Sequence, residues 1–211
     1  MTATLAQILD ARLVAVVRHA DAAPLPRAIE ALVEGGVNIA EVTLTVPGAL
    51  EVLGAVKASL GDRVVLGVGT VLDAAAAIAA IDAGAAFIVS PILNLEIIAV
   101  CKGRGIVVMS GCFTPTEVVA AWNAGADVIK VFPAECLGPI FFKALRGPLP
   151  EIRLMPTGGV DLNTARNFLE AGAVCLGVGS QLVDPKLLAA GDFAALTARA
   201  REFAAIVRRS V

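Results

Sequence analysis

The sequence predicts an α/β fold, a (β/α)8 TIM barrel built as a single domain over residues 1–211, on three observations. The length is that of one large domain able to bury a substantial core. A helix rich in Ala and Leu, a glycine turn and a β-branched strand recur along the chain. Eight strands can be counted, and eight strand-helix units favour a closed barrel. An open doubly wound sheet stays as the alternative, because a strand count off by one or two changes the topology.

The repeat is plainest at four places. Leu32-Val33-Glu34-Gly35-Gly36 runs into Val37 to Thr43, and Ile81-Asp82-Ala83-Gly84 into Ala85 to Ser90. Trp122-Asn123-Ala124-Gly125 runs into Ala126 to Phe132, and Leu169-Glu170-Ala171-Gly172 into Ala173 to Ser180. Glycine just past a helix takes the left-handed capping conformation, and the strand follows at once. In order, strands are expected near Leu13 to Arg18, Asn38 to Thr43, Val64 to Gly69, Ala86 to Ser90, Ile106 to Ser110, Asp127 to Phe132, Arg153 to Thr157 and Val174 to Gly179. Helices are expected near 24–35, 48–60, 73–83, 94–104, 115–124, 138–146, 161–171 and 192–208. Pro47, Asp73, Asn94, Pro115 and Asp161 mark helix starts, with Asp161 read as an N-cap.

Hydrophobic residues make up 57% of the chain and the mean hydropathy is +0.82, which raises the question of a membrane span. Charges or turn residues break every candidate well short of the ~18 apolar residues required. The first twelve residues lack a basic leader and an apolar signal core. The expectation is a soluble, cytoplasmic protein whose strands are covered on both faces. A formal charge of −2, with no basic stripe, argues against a nucleic-acid partner. Cys101, Cys112, Cys136 and Cys175 have no CxxC spacing and His19 is the single histidine, so neither a disulfide framework nor a metal site is expected. A serine triad would have to use His19, and no GxSxG motif exists to serve it.

Chemistry in such barrels is built where strands end, so the polar residues there are the candidates. Lys130 interrupts the otherwise apolar Val128-Ile129-Lys130-Val131-Phe132. A buried ammonium is costly, and needs a partner, a depressed pKa, or a task for the neutral amine such as Schiff-base formation. A packed stem with its head in water is the plain alternative. Strand alternation sends Glu41, Thr43 and Thr45 one way and Val42 and Leu44 the other. A glutamate cannot sit beneath apolar helices, so Glu41 faces the barrel interior, where the same parity sends Lys130. The pair is either a salt bridge or an acid/base and a nucleophile. Arg18 either neutralises Glu41 or, near the amine, lowers its pKa. After the last two strands, Thr157-Gly158-Gly159 and Gly177-Val178-Gly179-Ser180 are suited to hold phosphate on main-chain N–H groups. Glu135 reads as a solvated loop carboxylate, and Cys112 and Cys136 as packing residues.

Taken together, these residues resemble the class I aldolases that cleave 2-keto-3-deoxy-6-phosphogluconate (KDPG) and its galactonate epimer. The likeness runs through Val14 to Arg18, Glu41-Val42-Thr43-Leu44, Gly67-Val68-Gly69-Thr70, Ser90-Pro91, Phe113-Thr114-Pro115, Ile129-Lys130-Val131-Phe132-Pro133-Ala134-Glu135, Pro156-Thr157-Gly158-Gly159 and Gly177 to Ser180. The resemblance implies a Schiff base on Lys130 with Glu41 as general acid/base, and no cofactor or metal beyond that covalent imine. It implies substrate binding by Arg18, Thr45, Thr70, Pro91, Phe132 and Thr157, and phosphate binding by Gly158, Gly159, Gly179 and Ser180. Partners would be a phosphorylated 2-keto acid, pyruvate, and two further copies in a homotrimer. Many members carry arginine where this chain has Thr45, so the substrate carboxylate must lean on Arg18, Thr70 or backbone donors. The rival readings are a 4-hydroxy-2-oxoglutarate or other 2-keto-acid aldolase on the same lysine, an isomerase or synthase barrel without an imine, and a non-catalytic phosphometabolite-binding barrel.

Overall fold

The computed structural model describes residues 1–209, so the last two residues of the expected 1–211 domain lie outside it. Eight parallel strands form one sheet: β1 (Leu13–Val17), β2 (Ile39–Thr43), β3 (Val65–Gly69), β4 (Phe87–Val89), β5 (Val107–Cys112), β6 (Val128–Val131), β7 (Leu154–Pro156) and β8 (Leu176–Val178). They pair in sequence from β1 to β7, and β8 pairs with β1. The ring closes between β7 and β8 through a single bridge, Thr157 to Gly177, with the Val174 N–H donated to the Leu154 carbonyl at 2.9 Å. The barrel is therefore closed, with a thin seam at β7 and β8.

Helices α1 (Ala3–Ala11), α2 (Leu25–Glu34), α3 (Ala49–Leu60), α4 (Ala74–Asp82), α5 (Leu95–Gly103), α6 (Pro115–Asn123), α7 (Gly138–Arg146), α8 (Ala165–Glu170), α9 (Pro185–Ala190) and α10 (Phe193–Arg209) surround it. Asp73, Asn94 and Thr114 accept hydrogen bonds from main-chain N–H groups in the first turns of α4, α5 and α6. No helix among the described residues is long and apolar enough to cross a membrane.

Alternation splits the core into two layers. Ala15, Val42, Val68, Ile88 and Ile129 face the helices. Val14, Ile39, Phe87, Met109, Val128 and Met155 fill the lower half of the barrel interior. A methyl on Gly67, the register partner of Phe87, would fall 2.4 Å from that ring, so the missing side chain makes room for the aromatic floor.

Two helices escape the sequence reading. α1 carries Leu5 and Ile8 into the inner layer and closes the bottom of the barrel. Its signals are slight: Thr2 accepts from the Leu5 N–H at 3.2 Å, and the apolar face is short. α9 is six residues long and capped by Asp184, too brief for periodicity to register. α8 begins at Ala165 rather than near 161, because the Asp161 carboxylate accepts from Asn163 and Thr164 N–H groups and shapes a turn before the helix. Asp161 is thus not the helix N-cap.

Ile8 is fully buried beneath the barrel. Ile8→Ala is expected to cost about 2–5 kcal/mol of stability in urea unfolding; an unchanged midpoint would mean that α1 does not seal the floor.

Candidate active site

The site begins with two strands whose alternation turns a charge inward. On β6, Val128 belongs to the inner layer and Lys130 shares its face. On β2, Ile39 is inward and Glu41 follows on the same face. The Lys130 Nζ lies 4.0 Å from Glu41 Oε1, with the two side chains 6% and 1% exposed. A methyl on Gly69 would sit 2.6 Å from the Glu41 carboxyl carbon, so glycine on β3 creates the carboxylate's space. Neither Glu41 oxygen has a hydrogen-bond partner among the described residues.

Burial dominates the electrostatics of the pair. It pushes the Lys130 pKa down, with the attraction of Glu41 opposing and the positive charge of Arg18 adding to the depression. It pushes the Glu41 pKa up, opposed by Lys130 and Arg18. For each group burial disfavours the charged form. The Phe132 ring, 5.3 Å from Nζ, gives some support back to the ammonium. Arg18 thus lies near enough to influence both groups, favouring the carboxylate and disfavouring the ammonium.

At the mouth, an Arg18 Nη donates to the Thr70 hydroxyl at 3.4 Å. Thr70 adopts φ 57°, a left-handed conformation costly for a β-branched residue, about 1–3 kcal/mol. The Thr43 and Thr45 hydroxyls lie 2.8 Å apart. Thr45 itself is exposed on the rim. Pro91 packs so closely on β5 that a methyl on Gly111 would fall 2.1 Å from its carbonyl carbon.

A cavity of about 240 Å³ opens over the β7 and β8 seam. Arg18, Phe132, Thr157, Gly158, Gly159, Gly179 and Ser180 all line it. Gly158 and Gly159 have φ of 90° and 70°, which bends the chain around the cavity at little steric cost. The Thr157 hydroxyl is buried without a hydrogen-bond partner among the described residues, above Gly177, where a methyl would meet it at 2.3 Å. Lys130, Glu41, Thr45, Thr70 and Pro91 lie outside this lining; Arg18 and Phe132 link it to the charged pair.

The sequence reading gives no role to Val16, Gln181 or Pro185, which also line the cavity. Inward parity with Val14 marks Val16, whereas Gln181 and Pro185 carry no signal without knowledge of how the chain turns after β8. Cys112 belongs to the outer core, and burial pushes its thiol up to about 12, as suits a packing residue. His19 bonds the main chain of Asp21 in a turn. Glu135 is exposed, its side chain resting on Gly159.

With that geometry in place, comparison with known proteins gives a consistent picture. The sequence profile described as KDPG and KHG aldolase matches residues 5–199. A 2-dehydro-3-deoxy-phosphogluconate aldolase of Treponema pallidum (strain Nichols) is 39% identical over 191 residues, 90% of this chain and 89% of the relative. The 2-keto-3-deoxy-6-phosphogluconate aldolase of Zymomonas mobilis ZM4, solved with 3-phosphoglycerate, superposes with a TM-score of 0.84 at 31% identity, over 96% of this chain and 95% of that one. The KDPG aldolase from Legionella pneumophila, with pyruvate captured as a covalent carbinolamine, superposes with a TM-score of 0.83 at 26% identity, over 95% and 97% of the two chains.

The charge balance around Lys130 makes a signed prediction. Glu41→Gln removes the group that holds the lysine pKa up, so the pH midpoint for cyanate modification of Lys130 shifts lower. Arg18→Leu removes a depressing charge and shifts it higher. Mass spectrometry of the modified peptide reads both, and shifts of the opposite sign would reject the assignment of causes.

Proposed function

The chain belongs to the KDPG and KHG aldolase family, and from that premise we propose that it is a class I aldolase with Lys130 as nucleophile and Glu41 as general acid/base. Its substrate is 2-dehydro-3-deoxy-6-phosphogluconate or the galactonate epimer, cleaved reversibly to pyruvate and D-glyceraldehyde 3-phosphate. The observation that carries this reading is a buried amine 4.0 Å from a buried carboxyl group, with burial disfavouring the charge on each.

Neutral Lys130 adds to the C2 ketone and gives a carbinolamine. Glu41, in its acid form, protonates the carbinol hydroxyl, which leaves as water, and the iminium forms. The resulting carboxylate takes the C4 hydroxyl proton while the C3–C4 bond breaks and its electron pair moves into the iminium. The aldehyde departs, Glu41 returns its proton to C3 of the enamine, and water releases pyruvate from the lysine. A carboxyl group that resists ionisation suits the first of these steps, and one ready to take a proton back suits the second. The iminium is the electron sink, so the reading includes no cofactor beyond the covalent imine.

Arg18 and Thr70 meet the substrate carboxylate, with the Thr45 hydroxyl in a supporting role at the rim; the Arg18 to Thr70 hydrogen bond supports this reading. Pro91, Phe132 and Thr157 wall the pyruvyl end, and Gly158, Gly159, Gly179 and Ser180 take the phosphate. That cavity favours a phosphorylated substrate over 4-hydroxy-2-oxoglutarate, whose second carboxylate is bonded directly to C4 and so ends well short of the reach of a phosphate on C6. Leu72, Ile92 and Phe113 are exposed on the turns that follow neighbouring strands β3 to β5, and Leu95 at the start of α5, an apolar surface in keeping with a homotrimer. Four free cysteines fit a reducing cytoplasm.

Borohydride reduction with pyruvate is expected to add mass to the peptide that holds Lys130 and to nothing in Lys130→Met; label elsewhere, or none, would defeat the mechanism. Ser180→Asp sets a carboxylate against the phosphate and is expected to cut kcat/KM for the phosphorylated substrate about 100-fold (~2.7 kcal/mol) while sparing an unphosphorylated analogue. Equal losses on both would deny Ser180 its phosphate role.

A further inference from the structure

A surface hollow of about 640 Å³, open to solvent, lies at the opposite end of the β7 and β8 seam, and none of its residues lines the cavity at the top. Four cations border it, Arg12, Lys143, Arg146 and Arg153, against one carboxylate, Glu170. They come from separate segments. Arg12 caps α1 with φ 55°, and its carbonyl accepts from the Leu176 N–H at 2.9 Å, fixing it where β1 meets β8. Lys143 and Arg146 stand on the last turn of α7. The Arg146 side chain lies across Gly172, where a methyl would fall 2.1 Å from its Cδ. Arg153 enters β7, donates to the Asp127 carbonyl at 3.2 Å and stacks on Trp122 with its guanidinium 5.4 Å from the ring centroid.

Lys143, Arg146 and Arg153 take part in none of the ion pairs among the described residues. Interaction with the carbonyl end of α7 accounts for the two cations on that helix. Arg12 and Arg153 reach the same hollow from other elements, Arg153 with its guanidinium already held by the Asp127 carbonyl and the Trp122 ring. Like charges converging on one concavity repel each other and focus a positive potential there, and a multivalent anion relieves the repulsion.

We propose that this hollow binds a small polyanion carrying two or more phosphate or carboxylate groups, held by Arg12, Lys143, Arg146 and Arg153. The anion fastens β7 to β8 and β1 at the foot of the seam whose top carries Thr157 and Gly177. The site is independent of the aldolase reading, since it shares no residue with the proposed catalytic machinery.

The test is calorimetric titration at constant ionic strength with sodium tripolyphosphate, and with citrate as the carboxylate arm, on the full chain. Saturable binding of at least one of them is expected in the unsubstituted protein and in Ser180→Asp, whose upper phosphate site is blocked. Lys143→Gln combined with Arg146→Gln is expected to weaken it about tenfold or more. Glu170→Gln removes the opposing carboxylate and is expected to tighten it about two- to fivefold, a gain that misfolding cannot produce. Binding lost in Ser180→Asp but intact in the double variant would place the anion in the upper cavity and overturn the proposal. So would affinity indifferent to all three lower-site changes, or no saturable binding at matched ionic strength.

Discussion

The burial of Lys130 against Glu41 is the constraint around which the upper half of the barrel is arranged. Two charges removed from water in one apolar interior repay their desolvation only in part through mutual attraction. At 4.0 Å, with no hydrogen bond to either carboxylate oxygen, this pair falls short of a tight salt bridge. What remains is a pair in which burial disfavours both charges, a poor stabilising device and a suitable pair of partners for proton transfer. Its neighbours shape it: Gly69 leaves volume for the carboxylate, while Arg18 adds a positive charge that disfavours the ammonium, favours the carboxylate and donates to the Thr70 hydroxyl.

Below that level the interior changes character. Phe87, Met109, Val128 and Met155 pack into an apolar floor, and α1 seals it with Leu5 and Ile8. The inner apolar layer thus lies at the bottom and the proposed site at the top, the division expected of a barrel in which loops follow the strand C-termini. The same division explains why polar atoms with no hydrogen-bond partner among the described residues, such as the Thr157 hydroxyl, occur at the upper end. The β7 and β8 seam crosses both halves. It is joined by few main-chain bonds, and the cavity and the hollow open at its opposite ends.

Much of this can be read from residue order. Parity along a strand needs only the observation that apolar residues flank a charge, and it placed Glu41 and Lys130 on one interior correctly. Glycine followed by a β-branched run located the strands, because a helix that ends in a left-handed residue leaves few continuations. The elements that escaped did so either because their stability comes from contacts distant in sequence or because their capping signal is local and brief. α1 is short, and its reason to be helical is the open base of a barrel that forms from residues far downstream. α9 and the shortened start of α8 depend on local capping by Asp184 and Asp161, a signal that composition around the turn obscures.

The order of residues thus settled which groups face the interior, that an amine and a carboxyl group share it, and that glycine loops follow the last two strands. These are consequences of local geometry, alternation at every second residue and the steric freedom of glycine. The fold alone settled how far apart the amine and carboxyl group stand, how completely water is excluded from them, and that Arg18 and Phe132 join them to the cavity over the seam. It alone assembled Arg12, Lys143, Arg146 and Arg153 into one basic hollow. Distance and dielectric are properties of packing between segments far apart in the chain, and no local pattern encodes them.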